Sequence, residues 1–261
     1  MIIDVHTHIF PREVRADRDK FLAGEPAFTS IYQDPESRMA GASDLIRAMD
    51  RDGVDMSVTF GFPWSDEEKA RAHNDYILEA QERYPGRIMG LASFSIQEDW
   101  TEREAERAIE SGLCGLGELA VYGGGWDERV RERLVSLGQL CRSRDLPLLL
   151  HTNEPIGHKY PGKAPMNLKM IYDLVQALEG VTLILAHWGG GLFFFNLLKR
   201  EVPESLADVY FDTAASPFLY RPEIYRLAGN IIGPQKILFG SDYPLIRPNR
   251  YFREMAAAGL D

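Results

Sequence analysis

Hydrophobic and polar positions alternate between two periods along the chain. Short runs rich in Val, Ile and Leu fall near Ile2–His6, Met56–Phe62, Ile88–Phe94, Cys114–Ala120, Pro147–Thr152, Thr182–His187, Val209–Thr213 and Ile237–Asp242. Their length and flanking turn residues predict strands. Amphipathic segments lie between them. Val130, Leu134, Leu137 and Cys141 share one helical face, as do Ile171, Leu174, Val175 and Leu178. Ser65 with Glu68, and Thr101 with Glu104, have the spacing of a capping box, in which side chains satisfy the free N–H groups of a helix start. Strand starts are about 34 residues apart, the length that a strand, a helix and two loops occupy. Eight such units predict an α/β chain forming a single (β/α)8 TIM barrel over residues 1–261. An open doubly wound sheet is the alternative, but no Gly-rich turn follows the first strand.

Two stretches break the rhythm. The first strand ends near His8 and the next helix starts near Ser43, leaving a loop of about 34 residues. Loops of that length are often functional lids, so the 9–42 stretch is expected to cover the strand-1 end of the barrel. Beyond the eighth strand about 19 residues remain, so the last helix is expected to be short. Whether the natural chain continues beyond Asp261 stays open.

Composition narrows the function class. Apolar residues are 45% and charged residues 26%, as in a soluble globular protein. The net charge of −10 and the lack of any basic block argue against nucleic acid or an anionic membrane as partner. Cys114 and Cys141 form no C-x-x-C pair and no disulfide framework. The N-terminus shows no signal peptide, and the apolar Val181–Leu198 stretch is interrupted by His187 and Gly189–Gly191. A cytoplasmic protein acting on a small molecule is expected, with a homo-oligomer left open.

The six histidines are unevenly placed, four of them at the C-terminal ends of predicted strands, the face where barrel enzymes carry their active sites. His6 and His8 form an H-x-H, and a strand sends residues i and i+2 to one side. Two imidazoles aimed at one point make a chelate for zinc, iron, nickel or manganese. His151 ends "PLLLHT" and His187 ends "LILAHW". Asp242 ends "ILFGSD", where a carboxylate needs a partner or a metal, and its plain alternative is a helix N-cap. Glu118 in "GLGELA" has an ordinary ion pair as its alternative. Cationic or aromatic loop residues over this rim, Arg12, His158, Tyr160, Lys163 and Arg247, are candidates for binding a carboxylate or phosphate. His73 reads as an interhelix or surface residue, and Gly189–Gly191 as either an anion-binding helix start or a tight backbone passage.

This ordered set, with the wording "DVHTHIFP", "HTNEPIGHKYPGK", "AHWGGG" and "ILFGSDYPL", resembles the amidohydrolase superfamily along nearly the whole chain. It is most similar to the amidohydrolase-related branch, which includes relatives of aminocarboxymuconate-semialdehyde decarboxylase, resorcylate decarboxylases, lactonases and hydratases. The resemblance implies a divalent metal, with zinc expected and manganese, iron or nickel as alternatives. It implies His6, His8, His151 and Asp242 as ligands of one ion, with His187 beside it. In two-metal relatives Glu118 would bridge the ions and His151 and His187 would hold the second, so one ion or two stays open. No lysine ends strand four, which argues against a carbamylated bridge. Metal-activated water attacking a small carboxylate-bearing amide, ester or lactone, with Asp242 as acid and base and His187 assisting, is the expected reaction. The alternatives are nonoxidative decarboxylation or hydration of an aromatic or unsaturated acid, and an inactive barrel with a binding role.

Overall fold

A computed structural model describes residues 1–123 and 125–260. Among these residues eight strands run in parallel: β1 Ile3–His8, β2 Met56–Phe60, β3 Ile88–Gly90, β4 Leu116–Leu119, β5 Leu148–Leu150, β6 Leu183–Leu185, β7 Val209–Asp212 and β8 Ile237–Leu238. They pair as two sheets, β1-β2-β3 and β4-β5-β6-β7-β8. Backbone contacts join the edges of these sheets at both seams. Ala92, after β3, bridges to Leu116 of β4, and Thr7 of β1 bridges to Tyr243 after β8. The second seam is reinforced where Val5 N–H donates to Phe239 O (2.8 Å) and Asp242 N–H to His6 O (2.9 Å).

The strands are short because their ends turn sharply. His187 (φ 54°) and Asp242 (φ 59°) have left-handed backbone and cannot continue a strand. The sequence placed both inside strands; they lie instead on the first turns beyond β6 and β8, which lifts their side chains onto the rim. After β6 the left-handed conformation persists from His187 through Gly191, so no right-handed helix starts there and an anion-binding helix end is not formed. Gly190 permits a close crossing: a Cβ on it would stand 2.3 Å from Asn153 O.

The long segment after β1 is not an open loop. It carries α1 Arg12–Ala16, a short 3-10 turn and α2 Pro26–Tyr32, before α3 Ala42–Asp52. Phe28 of α2 packs on Trp64 (ring centroids 4.5 Å) and Phe62 (5.2 Å), which supplies the burial that helices this short need. Next come α4 Glu67–Arg83, α5 Thr101–Glu110, α6 Glu128–Ser143 and α7 Leu168–Ala177. The apolar faces read from the sequence are the buried ones: Val130, Leu134, Leu137 and Cys141 on α6, and Ile171, Leu174 and Val175 on α7. The capping boxes are shifted. Asp66, not Ser65, caps α4 by accepting from Lys69 N–H, and Thr101 Oγ1 bonds backward to Ser95 O and Glu98 O. The chain then runs through α8 Val202–Ser205, α9 Ser216–Leu219 and α10 Glu223–Ile232 to α11 Pro248–Ala257, a short last helix anchored by buried Tyr251.

The main core lies between strands and helices, while Phe60, Leu91, Leu149, Ile184 and Ala186 form a second, small apolar cluster. Among the described residues no helix is long and apolar enough to cross a membrane.

Candidate active site

Six side chains from five places in the chain meet at the C-terminal ends of the strands. His6 and His8 come from β1, Glu118 from β4, and His151, His187 and Asp242 from the turns after β5, β6 and β8. Potential ligand atoms lie within 4.8 Å of one another in three overlapping triads: His6, His8 and Glu118; His6, His187 and Asp242; Glu118, His151 and His187. Glu118 joins two of them. Its Oε1 is 2.9 Å from His151 Nδ1, 3.5 Å from His187 Nε2 and 3.8 Å from His6 Nε2. Asp242 Oδ1 stands 3.4 Å from His8 Nε2 and 3.8 Å from His6 Nε2. His151 thus shares its triad with Glu118 and His187 rather than with His6 and His8.

Backbone and carboxylate partners behind the rim aim the rings. His8 Nδ1–H donates to Gly61 O (3.4 Å) and His187 Nδ1–H to Ala214 O (3.0 Å), leaving each Nε2 for the site. His6 Nδ1–H donates to Asp212 Oδ2 (2.8 Å). Asp212 is fully buried, and its other oxygen accepts from His187 N–H (2.9 Å) and Ala214 N–H (3.0 Å). One carboxylate therefore orients two rim histidines.

The electrostatics call for a cation. Burial would raise Glu118, but His151 and His6 beside it hold its carboxyl well below the usual range. Burial likewise opposes ionisation of Asp242, yet contact with His8, His6 and His187 brings it down to about 2. The imidazoles answer in kind. Burial alone would lower His6 and His187, but Asp212 and Glu118 push His6 up to about 10, and Glu118 pushes His187 up to about 9. Two carboxylates thus draw positive charge onto ring nitrogens, a demand that a divalent ion meets equally well. His6 Nε2 and His151 Nε2 are buried with no hydrogen-bond partner. An unsatisfied buried imidazole nitrogen is costly, and ligation satisfies it, so this donor set fits a metal.

Above the rim is a cavity of about 500 Å³. Its floor includes His8, Glu118, His151, His187 and Asp242; its walls include the aromatic rings of Tyr32, Phe62, Tyr122, Tyr160 and Phe218 beside aliphatic and proline side chains. Ile31, Tyr32, Ser37 and Arg38 of the segment after β1, called the cover below, also line it. Of the proposed substrate contacts, His158 and Tyr160 line the cavity. The structure does not bring Arg12, Lys163 or Arg247 into it. Arg12 is exposed beside Arg15, Tyr76 and Glu79 in a separate hollow. Arg247 is taken by Asp52, and Lys163 by Glu154 Oε1 (2.8 Å) and the carbonyls of Ile156 and His158. Among the described residues the Arg or Lys that lines the cavity is Arg38, whose Nη1 donates to Leu245 O at 3.5 Å. Arg38 carries no local signal in the sequence, and Asp212 is marked there only by the "VYFDT" end of the seventh strand.

Asp212→Asn is expected to weaken divalent-metal binding about 10–100-fold, as loss of a partner that orients a ligand commonly does. Titration calorimetry with Mn2+ checks this, and unchanged affinity would remove Asp212 from the centre.

The chain belongs to the amidohydrolase family, whose profile matches residues 3–260. No curated protein matches it in sequence. Among solved structures it is similar to 5-carboxyvanillate decarboxylase from Sphingomonas paucimobilis, with 18% identity, TM-score 0.71, and coverage of 100% of this chain and 93% of that one. The 5-carboxyvanillate decarboxylase from Novosphingobium aromaticivorans, complexed with manganese and 4-hydroxy-3-methoxy-5-nitrobenzoic acid, gives 16% identity, TM-score 0.75 and coverage of 100% and 91%. A dihydroxybenzoic acid decarboxylase from Polaromonas sp. JS666, with bound manganese and the inhibitor 2-nitroresorcinol, gives 18% identity, TM-score 0.68 and coverage of 100% and 92%. At these identities the likeness shows the fold. It also corrects the expectation of a hydrolase, since these neighbours are decarboxylases of aromatic acids. The rim motifs serve hydrolysis and decarboxylation alike, so they could not choose between them. Zinc gains no support either, because two of these structures hold manganese.

Proposed function

We propose that the chain is a closed (β/α)8 barrel enzyme that removes the carboxyl group from a small aromatic acid with the help of a divalent metal, manganese being the ion of choice. The observation that carries this reading is the pairing of a cavity lined by five aromatic rings with a floor of two carboxylates and three imidazoles, the His6 ring adjoining them. A planar ring fits against Phe62 and Tyr122, whose own planes are within 9° of parallel. His6, His8 and Asp242, with Glu118, His151 and His187 adjoining, would hold the ion. When bound, it supplies Lewis acidity toward the oxygens of the substrate.

The residues of the chain account for the remaining steps. Asp242, anionic among His6, His8 and His187, takes a proton from a phenolic hydroxyl of the arriving acid. It returns that proton to the ring carbon as the bond to the carboxyl group breaks, and carbon dioxide leaves with the electron pair staying on the ring. His187, fixed through Nδ1–H to Ala214 O, directs Nε2 toward the charge that develops on the substrate. Arg38 at the mouth meets a carboxylate.

Arg38→Ala is expected to raise KM about tenfold with a much smaller change in kcat, the scale of one charge-assisted hydrogen bond. A fall in kcat with unchanged KM would place Arg38 elsewhere. The function itself is tested by offering the Mn2+-loaded protein phenolic benzoic acids in parallel with aryl esters and lactones. Carbon dioxide from the acids supports the reading, and ester or lactone cleavage with no carbon dioxide overturns it.

A further inference from the structure

His73 sits on α4 behind the rim, outside the cavity, and is only 2% exposed. Of the two readings its helix offered, interhelix or surface, burial excludes the second. Its ring makes three hydrogen bonds. Nε2–H donates to Ile9 O (2.7 Å), while Nδ1 accepts from Trp64 Nε1–H (2.9 Å) and Phe62 N–H (3.3 Å). Only the neutral ring protonated on Nε2 satisfies all three partners. Burial, with a smaller contribution from His8, brings His73 down to about 4 against the bond to Ile9, in keeping with that form.

Each partner adjoins something the site needs. Ile9 follows His8. Phe62 follows Gly61, whose carbonyl accepts the Nδ1–H of His8. The ring also presses on Gly61, where a Cβ would stand 2.8 Å from its atoms. Trp64 is the seat of the cover: Phe28 and Phe21 pack on it at 4.5 and 6.0 Å. Beside it Ser65 and Asp66 N–H donate to the buried carboxylate of Glu25 on the cover (both 3.0 Å).

We infer that His73 is a positioning residue for the metal centre: by gripping Ile9 and Phe62 together it fixes the Gly61 carbonyl that makes His8 present Nε2 to the rim, and through Trp64 it ties this geometry to the seat of the cover. The His8–Gly61 bond is 3.4 Å long, near the limit for a hydrogen bond, so a shift of a few tenths of an ångström in Gly61 releases it. His8 would then lose its fixed tautomer. The inference rests on reading the rim as a metal centre.

The test uses His73→Ala and His73→Gln, the latter keeping an amide donor toward Ile9. Mn2+ affinity is measured by calorimetry, and the imidazole 15N shifts of His8 are measured in the metal-free protein. His73→Ala is expected to weaken Mn2+ binding about tenfold and to move the His8 shifts toward a tautomer mixture, with His73→Gln falling between it and the wild type. A merely structural role would lower Tm and move neither quantity. Unchanged affinity and unchanged His8 shifts in folded His73→Ala overturn the inference; should that variant not fold, the same result in His73→Gln does so. If the wild type binds no Mn2+, the metal reading falls, and the His8 shifts alone decide whether His73 holds that ring.

Discussion

Asp242→Asn is expected to reduce decarboxylation roughly 10²–10⁴-fold, the scale of a lost acid–base group. The substitution keeps the shape of the side chain and removes its charge and its ability to shuttle a proton. The fold should persist for two local reasons. Asn tolerates the left-handed backbone at this position (φ 59°) at least as well as Asp does. The bond from the residue 242 N–H to His6 O, part of the seam between β1 and β8, is made by the backbone. The rate of carbon dioxide release and Tm are the paired measurements. A variant that turns over near the wild-type rate would contradict the acid–base role of Asp242.

Glu118→Gln should be comparably severe, but through binding. The Glu118 side chain is 4% exposed and its carboxylate lies within 3.8 Å of nitrogens from four histidines. Removing one partner from a buried charge network costs on the order of 3 kcal/mol, about a hundredfold in an equilibrium constant. The amide also puts an N–H donor where imidazole nitrogens and a metal both need an acceptor. Mn2+ affinity is therefore expected to fall about a hundredfold, measured by calorimetry on folded protein. Full affinity in Glu118→Gln would make Glu118 an ordinary ion pair beside the centre.

How much of this could be read from the sequence depended on whether the controlling contact was local. Strand positions were legible because period and turn chemistry act over a few residues, and the H-x-H of His6 and His8 projects to one side by strand geometry alone. The rim residues His151, His187, Glu118 and Asp242 were legible because strand ends mark the working face of a barrel. Asp212 also ends a strand, but its meaning lies in a bond to His6 across 206 positions, which no local pattern announces. The cations failed for a related reason. Arg247 reads as a loop cation until Asp52, 195 positions away, takes its charge. The helices of the cover, five and seven residues long, carry too few positions for a periodic signal and depend on Trp64 and Phe62 for their burial. The chemistry was ambiguous because one metal rim serves both water attack and carboxyl loss; the aromatic cavity walls became apparent only once distant segments were brought together.

The central claim is best tested by giving Mn2+-loaded protein a phenolic benzoic acid labelled with 13C in its carboxyl group, in D2O. The account predicts one 13CO2 released for each deuterium that appears on the ring carbon that bore the carboxyl group, with neither formed after chelation of the metal. Persistence of the labelled acid across a panel of such substrates, alongside metal-dependent cleavage of an ester or lactone, would contradict it.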